Sequence, residues 1–223
     1  MGHPLFRILA PYRNGKRPPR QDNLVLLLPG SRRQELQRLL PSFLQAAARL
    51  RQDHPQLKFH IPLPRKAILE YAQELVRQIP DAPEVTWSVG DTREWMTRAT
   101  AALAASGTVT VEAAMLGLPV VVAYRISPFS WWVGSKLIQI STITIANLVC
   151  ERTVFQEVLQ KACTGENLCH ALEAILPGGE RRQQTLEGME EFTRRLGAAG
   201  ENVSDNVARI ALEAPAPSPL PPL

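Results

Sequence analysis

The sequence predicts an α/β protein built on a Rossmann-like, doubly wound parallel sheet, with extra helices at the carboxyl end of the chain. Short apolar runs alternate with helical segments from Leu24 onward, which is the pattern of consecutive β-α-β units. Within the stretch Ala101–Arg125, a strand, a helix and a second strand follow one another with only short turns between them. Strands that are joined through a helix pair in parallel. The order of the elements therefore favours one parallel sheet with helices on both faces.

The stretch Ala101–Arg125 organises this prediction. Ala101–Ala105 is short and apolar, as expected for a buried strand. The segment Val109–Leu116 is predicted to be helical, and Gly117 stands where the glycine that follows a helix belongs. The apolar residues 120–123 form the second buried strand. Because parallel sheets bind ligands beside the carboxyl ends of their strands, the turn between the first strand and the helix is a candidate site.

Hydrophobic periodicity and breaker residues place the other elements. Before the stretch, strands are predicted at Leu24–Leu28, Leu57–Ile61 and Val85–Trp87, and helices at Arg33–Gln52, Arg65–Gln78 and Thr92–Arg98. After it, helices are predicted at Pro128–Ile140, Val154–Gln160, Gly165–Leu176, Glu180–Leu196 and Asn202–Leu212. Residues Ile143–Leu148 are apolar and β-branched, which favours a short strand or an extended loop.

Composition divides the chain into four parts. Residues 1–23 form a basic, Pro-rich leader or interdomain segment, expected to be irregular over Met1–Arg20. Residues 24–176 form the Rossmann-like domain, 177–213 the C-terminal helices and 214–223 a disordered Pro-rich tail. Five of the 25 Lys and Arg residues precede the first acidic residue, Asp22, and the other 20 nearly balance the 21 acidic residues. The excess of basic residues thus lies in the leader. The leader is either a solvated linker or a basic patch that binds anionic lipid or a nucleotide phosphate.

Bulk properties exclude several other classes of protein. Of the 223 residues 45% are hydrophobic, which supports a core without disulfides or a structural metal. No apolar run approaches the roughly 20 residues of a spanning helix, and no apolar segment opens the chain as in a signal peptide. The three cysteines match no zinc or redox spacing and are expected to be reduced thiols of a cytosolic protein. The histidines are scattered and the body of the chain is neutral, so we predict no metal, no cofactor, no Ser-His-Asp catalysis and no nucleic acid.

The first candidate site is the turn Pro29-Gly30-Ser31-Arg32, which follows a buried strand and precedes a helix. Gly30 allows the backbone to approach a ligand closely, and Ser31 can cap the helix. A helix N-terminus offers free N–H groups and partial positive charge, and Arg32 adds a cation that can fork onto phosphate. The turn matches neither a Walker loop nor a GxGxxG motif. It is either a pyrophosphate site or an ordinary strand–helix turn.

The second candidate is Ser106-Gly107-Thr108 with Glu112. Small hydroxyl residues and a glycine again open a helix and offer N–H groups to an anion. The Glu112 carboxylate can accept hydrogen bonds from two adjacent hydroxyls, such as those of a ribose, or can simply stabilise the helix dipole. Two phosphate-type turns on one sheet favour a nucleoside-diphosphate ligand. Arg125, just past the last strand of the stretch, and Asn147 further on are weaker candidates for the same crevice, with a structural role as the alternative.

Together, these residues resemble the lipid-A-disaccharide synthase family. One half of the resemblance is the run Leu27–Arg32 followed by Glu35. The other half consists of Ala105–Thr108, Glu112, Pro119–Val121, Tyr124–Arg125, Pro128–Phe129, Trp132 and Asn147–Leu148. Order and spacing match from about Gly2 to Leu176, which makes the combination more specific than any single motif.

The resemblance implies an inverting hexosyltransferase of the GT-B fold. It would transfer diacylglucosamine from UDP-2,3-diacylglucosamine to 2,3-diacylglucosamine 1-phosphate, with release of UDP, in lipid A (lipopolysaccharide) biosynthesis. Such enzymes have two Rossmann-like domains, and this sequence resembles the C-terminal, donor-binding one without the N-terminal acceptor domain, so no catalytic base is assigned. The implied contacts with the UDP-sugar are Gly30, Ser31, Arg32, Ser106, Gly107 and Thr108 at the diphosphate, Glu112 at the ribose, and also Arg125 and Asn147.

The implied partners are UDP-2,3-diacylglucosamine, UDP and a lipid acceptor. The run Phe129–Leu137, with Trp131 and Trp132, either faces a lipid or membrane surface or packs a helix onto the sheet. The implied location is the cytoplasm, with peripheral contact to the inner face of the cytoplasmic membrane left open. Two other interpretations stay open: a non-catalytic UDP-sugar-binding half that needs a separate N-terminal half or a homo-oligomer, and another UDP-N-acetylglucosamine transferase or 2-epimerase.

Overall fold

The computed structural model describes residues 4–14, 19–125, 142–197 and 212, and in this part of the chain six parallel strands form one sheet. The strands are β1 (Gln21–Leu28), β2 (Lys58–Leu63), β3 (Thr86–Val89), β4 (Ala99–Ala105), β5 (Val120–Tyr124) and β6 (Glu157–Leu159). The helices are α1 (Leu5–Asn14), α2 (Arg33–Asp53), α3 (Lys66–Arg77), α4 (Thr92–Arg98), α5 (Thr108–Leu116), α6 (Ile145–Cys150), α7 (Gly165–Glu173) and α8 (Arg182–Gly197), with a 3₁₀ turn at Gln160–Ala162. The strand order is β3-β2-β1-β4-β5-β6, which confirms the predicted doubly wound sheet.

The winding direction of the chain reverses between β1 and β4, which lie side by side. Leu28 of β1 is in register with Ala104 of β4, so the two strands end at the same level. Strands β2 and β3 extend the sheet beyond β1, and β5 and β6 extend it beyond β4. The turns that follow β1 and β4 therefore leave the same edge next to each other. This switch point is where open α/β sheets bind their ligands.

Helices cover both faces, and strand residues alternate between two cores. Val25 and Leu27 of β1 belong to the core under α2, α3 and α7. Leu24, Leu26 and Leu28 belong to the core under α1, α4, α5, α6 and α8. Every residue of β4 is buried, and most are alanines, so little side-chain volume separates this central strand from the helices. The predicted elements before Arg125 are confirmed with small shifts at their ends, and α7 and α8 confirm the two later helices at Gly165–Leu176 and Glu180–Leu196.

The prediction of irregular structure over Met1–Arg20 is wrong for Leu5–Asn14, which is helix α1. Leu5 and Leu9 are one turn apart and buried in the core that α5 also covers, and this burial outweighs the proline inside the helix. The basic charge is also used internally: the Arg20 guanidinium donates to the carbonyl oxygens of Met96, Ala99 and Leu116. This arginine ties the ends of α4 and α5 to the start of β4 and is not part of a solvated linker.

Two predictions near the carboxyl edge are also wrong. Ile143–Leu148 was expected to be extended, but helix α6 begins at Ile145. Val154–Gln160 was expected to be helical, but Glu157–Leu159 pairs with β5 as an edge strand. Backbone hydrogen bonds to the neighbouring strand override the local propensity here. The helices predicted at Pro128–Ile140 and Asn202–Leu212 and the Pro-rich tail lie outside the described residues, apart from Leu212.

The described cysteines are free and buried, and burial raises the pKa of each thiol, at Cys150, Cys163 and Cys169. Within the described ranges, no helix has the length and apolar character needed to cross a bilayer.

Candidate functional site

The two predicted anion-binding turns meet at the switch point of the sheet. Residues 29–32 connect β1 to α2, and residues 106–107 connect β4 to α5. Leu28 ends β1 and is in register with Ala104, one residue before the end of β4, so the two turns leave adjacent strands at the same edge. Parallel strands are about 4.8 Å apart. The two helix N-termini therefore open at the same edge of the sheet, that of α2 from one face and that of α5 from the other.

The first turn is filled by a side chain of its own helix. Glu35 Oε2 accepts hydrogen bonds from the backbone N–H groups of Ser31 (2.8 Å) and Arg32 (3.1 Å). Glu35 Oε1 lies 3.1 Å from Arg32 Nη1, although the Arg32 side chain is 81% exposed and such a pair is worth little in water. An internal carboxylate thus occupies the position where the helix N-terminus would hold an anion.

Gly30 is required by this arrangement. Its φ is +111°, a conformation that side chains other than glycine's rarely adopt. A Cβ at this position would stand 2.3 Å from Glu35 Oε2 and 2.7 Å from Glu35 Cβ. The sequence predicted that the backbone at Gly30 approaches a ligand closely. In the structure, the group that this backbone approaches closely is the Glu35 side chain. The spacing of Arg32 and Glu35 matches a helix-capping pair, which is the sequence signal for this contact.

The second turn is open. Gly107 is the N-cap of α5, and no side chain of the described residues caps the first N–H groups of this helix. Gly107 and Thr108 are exposed. The Ser106 N–H donates to Ala123 O at 3.0 Å, which holds the turn against β5. The N-terminus of α5 is therefore available to an anion in the conformation described.

Glu112 forms a bidentate ion pair one turn into α5. Arg93 Nε lies 3.1 Å from Glu112 Oε2, and Arg93 Nη2 lies 3.0 Å from Glu112 Oε1. The Glu112 side chain is 16% exposed and that of Arg93 is 37% exposed. The hydrogen bonds to the carboxylate raise the pKa of Arg93. Sequence reasoning missed Arg93, since its partner is 19 positions away on a different helix.

Arg125 and Asn147 differ in their availability. Arg125 is exposed directly after β5, two residues past Ala123, which is in register with Ala105 at the end of β4. Asn147 is buried; its amide donates to Phe155 O and Glu157 Oε1 and accepts from the N–H groups of Val154 and Phe155. These four hydrogen bonds use the whole capacity of the amide, which leaves no donor or acceptor for a ligand in this conformation.

The Glu157 carboxylate is the centre of that network. It accepts hydrogen bonds from Thr142 Oγ1, from the N–H groups of Ile143 and Thr144, and from Thr144 Oγ1. A groove of about 630 Å³ lies beside it, lined by residues of α6 and of the loop before β6. The network fixes the start of α6 against the edge strand.

A polar cluster around the buried His60, for which the sequence carries no local signal, supports α4. His60 Nδ1 lies 2.7 Å from Thr86 Oγ1, and Nε2 lies 2.8 Å from Ser88 Oγ. Ser88 donates its hydroxyl proton to Asp91, so we assign the imidazole proton to Nε2, which donates to Ser88 Oγ. The unprotonated Nδ1 then accepts the hydroxyl proton of Thr86 at 2.7 Å, in preference to the Phe59 carbonyl oxygen at 3.3 Å. Trp95 stacks on the imidazole at 3.7 Å and donates Nε1–H to Asp91.

Burial of the imidazole lowers the pKa of His60 to about 4, while the Asp91 carboxylate acts in the opposite direction. The cluster brings a serine, a histidine and an aspartate together, but the serine hydroxyl donates to the carboxylate and not to the imidazole. It therefore serves to anchor α4, the helix that carries Arg93. No group of three or more His, Cys, Asp or Glu side chains in the described ranges is arranged to bind a metal.

The fold and the site place this chain among proteins built like one half of a GT-B glycosyltransferase. The spinosyn rhamnosyltransferase SpnG, solved with thymidine diphosphate, matches 82% of this chain and 45% of its own chain, with a TM-score of 0.53 and 15% identity. At that identity the likeness concerns the fold alone.

Sequence comparison identifies the family. A model described as lipid-A-disaccharide synthetase matches residues 1–211, and the chain belongs to this family. The lipid-A-disaccharide synthase of Koribacter versatilis is 35% identical over 84% of this chain and 49% of its own length. That of Coxiella burnetii is 32% identical over 94% of this chain and 56% of its own length. The chain thus spans about half the length of the curated relatives it matches.

Proposed function

We propose that this chain holds the sugar-nucleotide donor of a lipid-A-disaccharide synthase, namely UDP-2,3-diacylglucosamine. The complete enzyme would transfer the diacylglucosamine unit to 2,3-diacylglucosamine 1-phosphate and release UDP, a step of lipid A biosynthesis. The observation that carries the proposal is the pair of helix-opening turns at the switch point, in a chain of this family. The individual contacts proposed below follow from the groups that each turn offers to a ligand.

In this proposal, the diphosphate lies against the second turn. The uncapped N–H groups at the start of α5 would donate to phosphate oxygens, and the helix dipole favours negative charge there. The hydroxyls of Ser106 and Thr108 are further donors. Arg125, which directly follows the neighbouring strand β5, would add a cation from the side.

The first turn would hold the other phosphate after an exchange of anions. The N–H groups of Ser31 and Arg32 are bonded to Glu35, so a phosphate oxygen takes this position only when the carboxylate moves aside. The mostly exposed Arg32 guanidinium can reach the ligand without that exchange. A charge-assisted hydrogen bond from Arg32 to the diphosphate would contribute about 1.5–3 kcal/mol to binding.

Glu112 would accept hydrogen bonds from the ribose hydroxyls. It stands one turn inside the helix whose N-terminus binds the phosphates, and its carboxylate is partly exposed. Asn147 acts through the loop that it holds, since its amide is fully bonded within the protein.

Chemically, these residues stabilise the leaving group. The bond between the sugar and the diphosphate breaks as negative charge builds up on the diphosphate, and fixed N–H groups with Arg32 and Arg125 neutralise that charge. The proton of the acceptor hydroxyl requires a base, a role that we assign to no residue of this chain. The chain's contribution is therefore the donor side of the reaction.

The acyl chains of both substrates place the reaction beside a membrane, and we propose the cytoplasmic side of the inner membrane. Ile145 and Leu148 of α6 are 42% and 49% exposed. Exposed apolar side chains of this kind suit contact with lipid.

Calorimetric titration tests the proposal. We expect UDP to bind the folded chain, and Arg32→Ala to weaken binding about tenfold or more. Arg77→Ala, which removes an exposed, ion-paired arginine at the end of α3, is the matched control and should leave the dissociation constant unchanged. A competition series with UDP-2,3-diacylglucosamine and UDP-N-acetylglucosamine separates the acylated donor from simpler sugar nucleotides. No binding of UDP by the folded chain would overturn the donor assignment.

A further inference from the structure

We infer that Arg93 is a positioning residue of the nucleotide site: it holds and neutralises Glu112, so that the carboxylate can accept the two hydroxyls of a ribose beside a diphosphate. The inference rests on the proposed nucleotide site and adds a residue outside the motifs that predicted it. It is carried by the bidentate pairing of Arg93 with Glu112.

The geometry of the pair leaves the carboxylate half used. Each oxygen of Glu112 accepts one hydrogen bond from the guanidinium, at 3.1 and 3.0 Å. A carboxylate oxygen can accept two, so one position remains on each oxygen. Two adjacent hydroxyls of a ribose match these two positions. The rigid fork of arginine fixes the plane of the carboxylate, which a lysine would not do.

Charge gives a second reason for Arg93. Glu112 lies on the helix whose N-terminus is proposed to bind a diphosphate, and a bare carboxylate there would repel this ligand. The Arg93 guanidinium cancels the charge of Glu112 while leaving its acceptor positions in place. The pair can thus recognise neutral hydroxyls without weakening the binding of phosphate.

The fold holds Arg93 firmly in place. On α4 it is three and four positions before Met96 and Thr97, which are both buried, so it lies on the side of the helix that faces α5. The start of α4 is fixed by Asp91, which accepts hydrogen bonds from Ser88 and Trp95. Stacking of Trp95 on the buried His60 fixes the helix against the sheet.

The test compares the dissociation constants of UDP and 2′-deoxy-UDP, because their ratio isolates the hydroxyl contact. For the wild type we expect the deoxy ligand to bind about tenfold more weakly, as expected for a hydrogen bond to a charged acceptor. Arg93→Gln should bring the ratio to about two, and Arg93→Lys should give an intermediate ratio. In a Glu112→Gln background, Arg93→Gln should cause no further change of the ratio, because the two residues act as a unit.

Arg98→Gln is the matched control, since it removes an ion pair with Glu94 on the same short helix without touching Glu112. It should keep the wild-type ratio. A wild-type ratio in Arg93→Gln would overturn the inference while leaving the UDP site intact, and so would a wild-type ratio in Glu112→Gln. Absence of UDP binding by the wild type would remove the proposed function itself. Thermal unfolding of each variant shows whether a change in the ratio of the dissociation constants is due to loss of folding. If Arg93→Gln does not fold, Arg93→Lys decides the question.

Discussion

The turns after β1 and β4 have similar sequences and positions, yet they differ in whether their helix N-terminus is already occupied. After β1, the N–H groups of Ser31 and Arg32 are bonded to Glu35. After β4, the N-cap is Gly107 and no described side chain caps the helix. The acidic residue of the second helix, Glu112, is paired with Arg93 of α4. A helix N-terminus is thus open to an external anion without prior exchange only when no acidic side chain of its own helix caps it.

The two glycines give the largest expected contrast. Gly30→Ala should lower the free energy of unfolding by about 3 kcal/mol, because the backbone is strained and the new Cβ would collide with Glu35. Gly107→Ala introduces a Cβ with no atom within 4 Å, so we expect a smaller loss of stability from its φ of +157°. Its main effect should be at least tenfold weaker UDP binding, because the methyl group covers the N–H groups of α5. Urea unfolding measures the loss of stability, and calorimetry measures the loss of UDP binding. The prediction would be contradicted if Gly30→Ala mainly weakened UDP binding and Gly107→Ala mainly lowered stability.

Acid should destabilise the His60 cluster, which anchors α4 and thereby Arg93 beside the second turn. His60 is neutral in the folded protein and its pKa is lowered to about 4, so as the pH falls below about 6.5 the unfolded chain binds the proton first. Stability is complete above pH 6.5 and is lost progressively down to about pH 4, by about 3 kcal/mol in total. His60→Gln should remove this part of the pH dependence.

Urea unfolding of wild type and variant at several pH values between 7.5 and 4 measures the difference in slope. His170→Gln, which removes an exposed histidine of α7, is the control and should keep the wild-type slope. If His60→Gln kept the wild-type slope as well, the buried imidazole would not be the group that titrates.

The smallest expected effect concerns the first turn. Glu35→Gln keeps the size of the side chain but removes its charge, so it should compete less with phosphate for the N–H groups of Ser31 and Arg32. We expect UDP to bind about threefold to tenfold more tightly, with a loss of about 0.5–1 kcal/mol in unfolding free energy from the weaker cap. Glu70→Gln, on the exposed face of α3, is the control. Weaker binding in Glu35→Gln would mean that the carboxylate shapes the turn for its ligand and does not compete with it.

Local patterns predicted the sheet and the two turns, because buried strands and helix-opening turns are encoded by adjacent residues. The pairings that define the chemistry are not local. Arg93 meets Glu112 across two helices, and His60 meets Ser88 across two strands, so the spacing of these residues carries no signal. For Asn147 the sequence left a ligand contact and a structural role open, because its burial and its bonds to residues 154–157 are visible only in the fold. Helix α1 was not predicted because Pro11 and the arginines around it are typical of irregular segments, and only two leucines, Leu5 and Leu9, form its buried side.

The central claim is that the two turns at the switch point bind a nucleoside diphosphate. Amide-resolved NMR of the ¹⁵N-labelled chain during titration with UDP tests it most directly. We expect the largest shifts at Gly107 and Thr108, with smaller ones at Ser31 and Arg32. Shifts confined to another surface, such as the groove of about 700 Å³ between α1, α5 and α8, would contradict it.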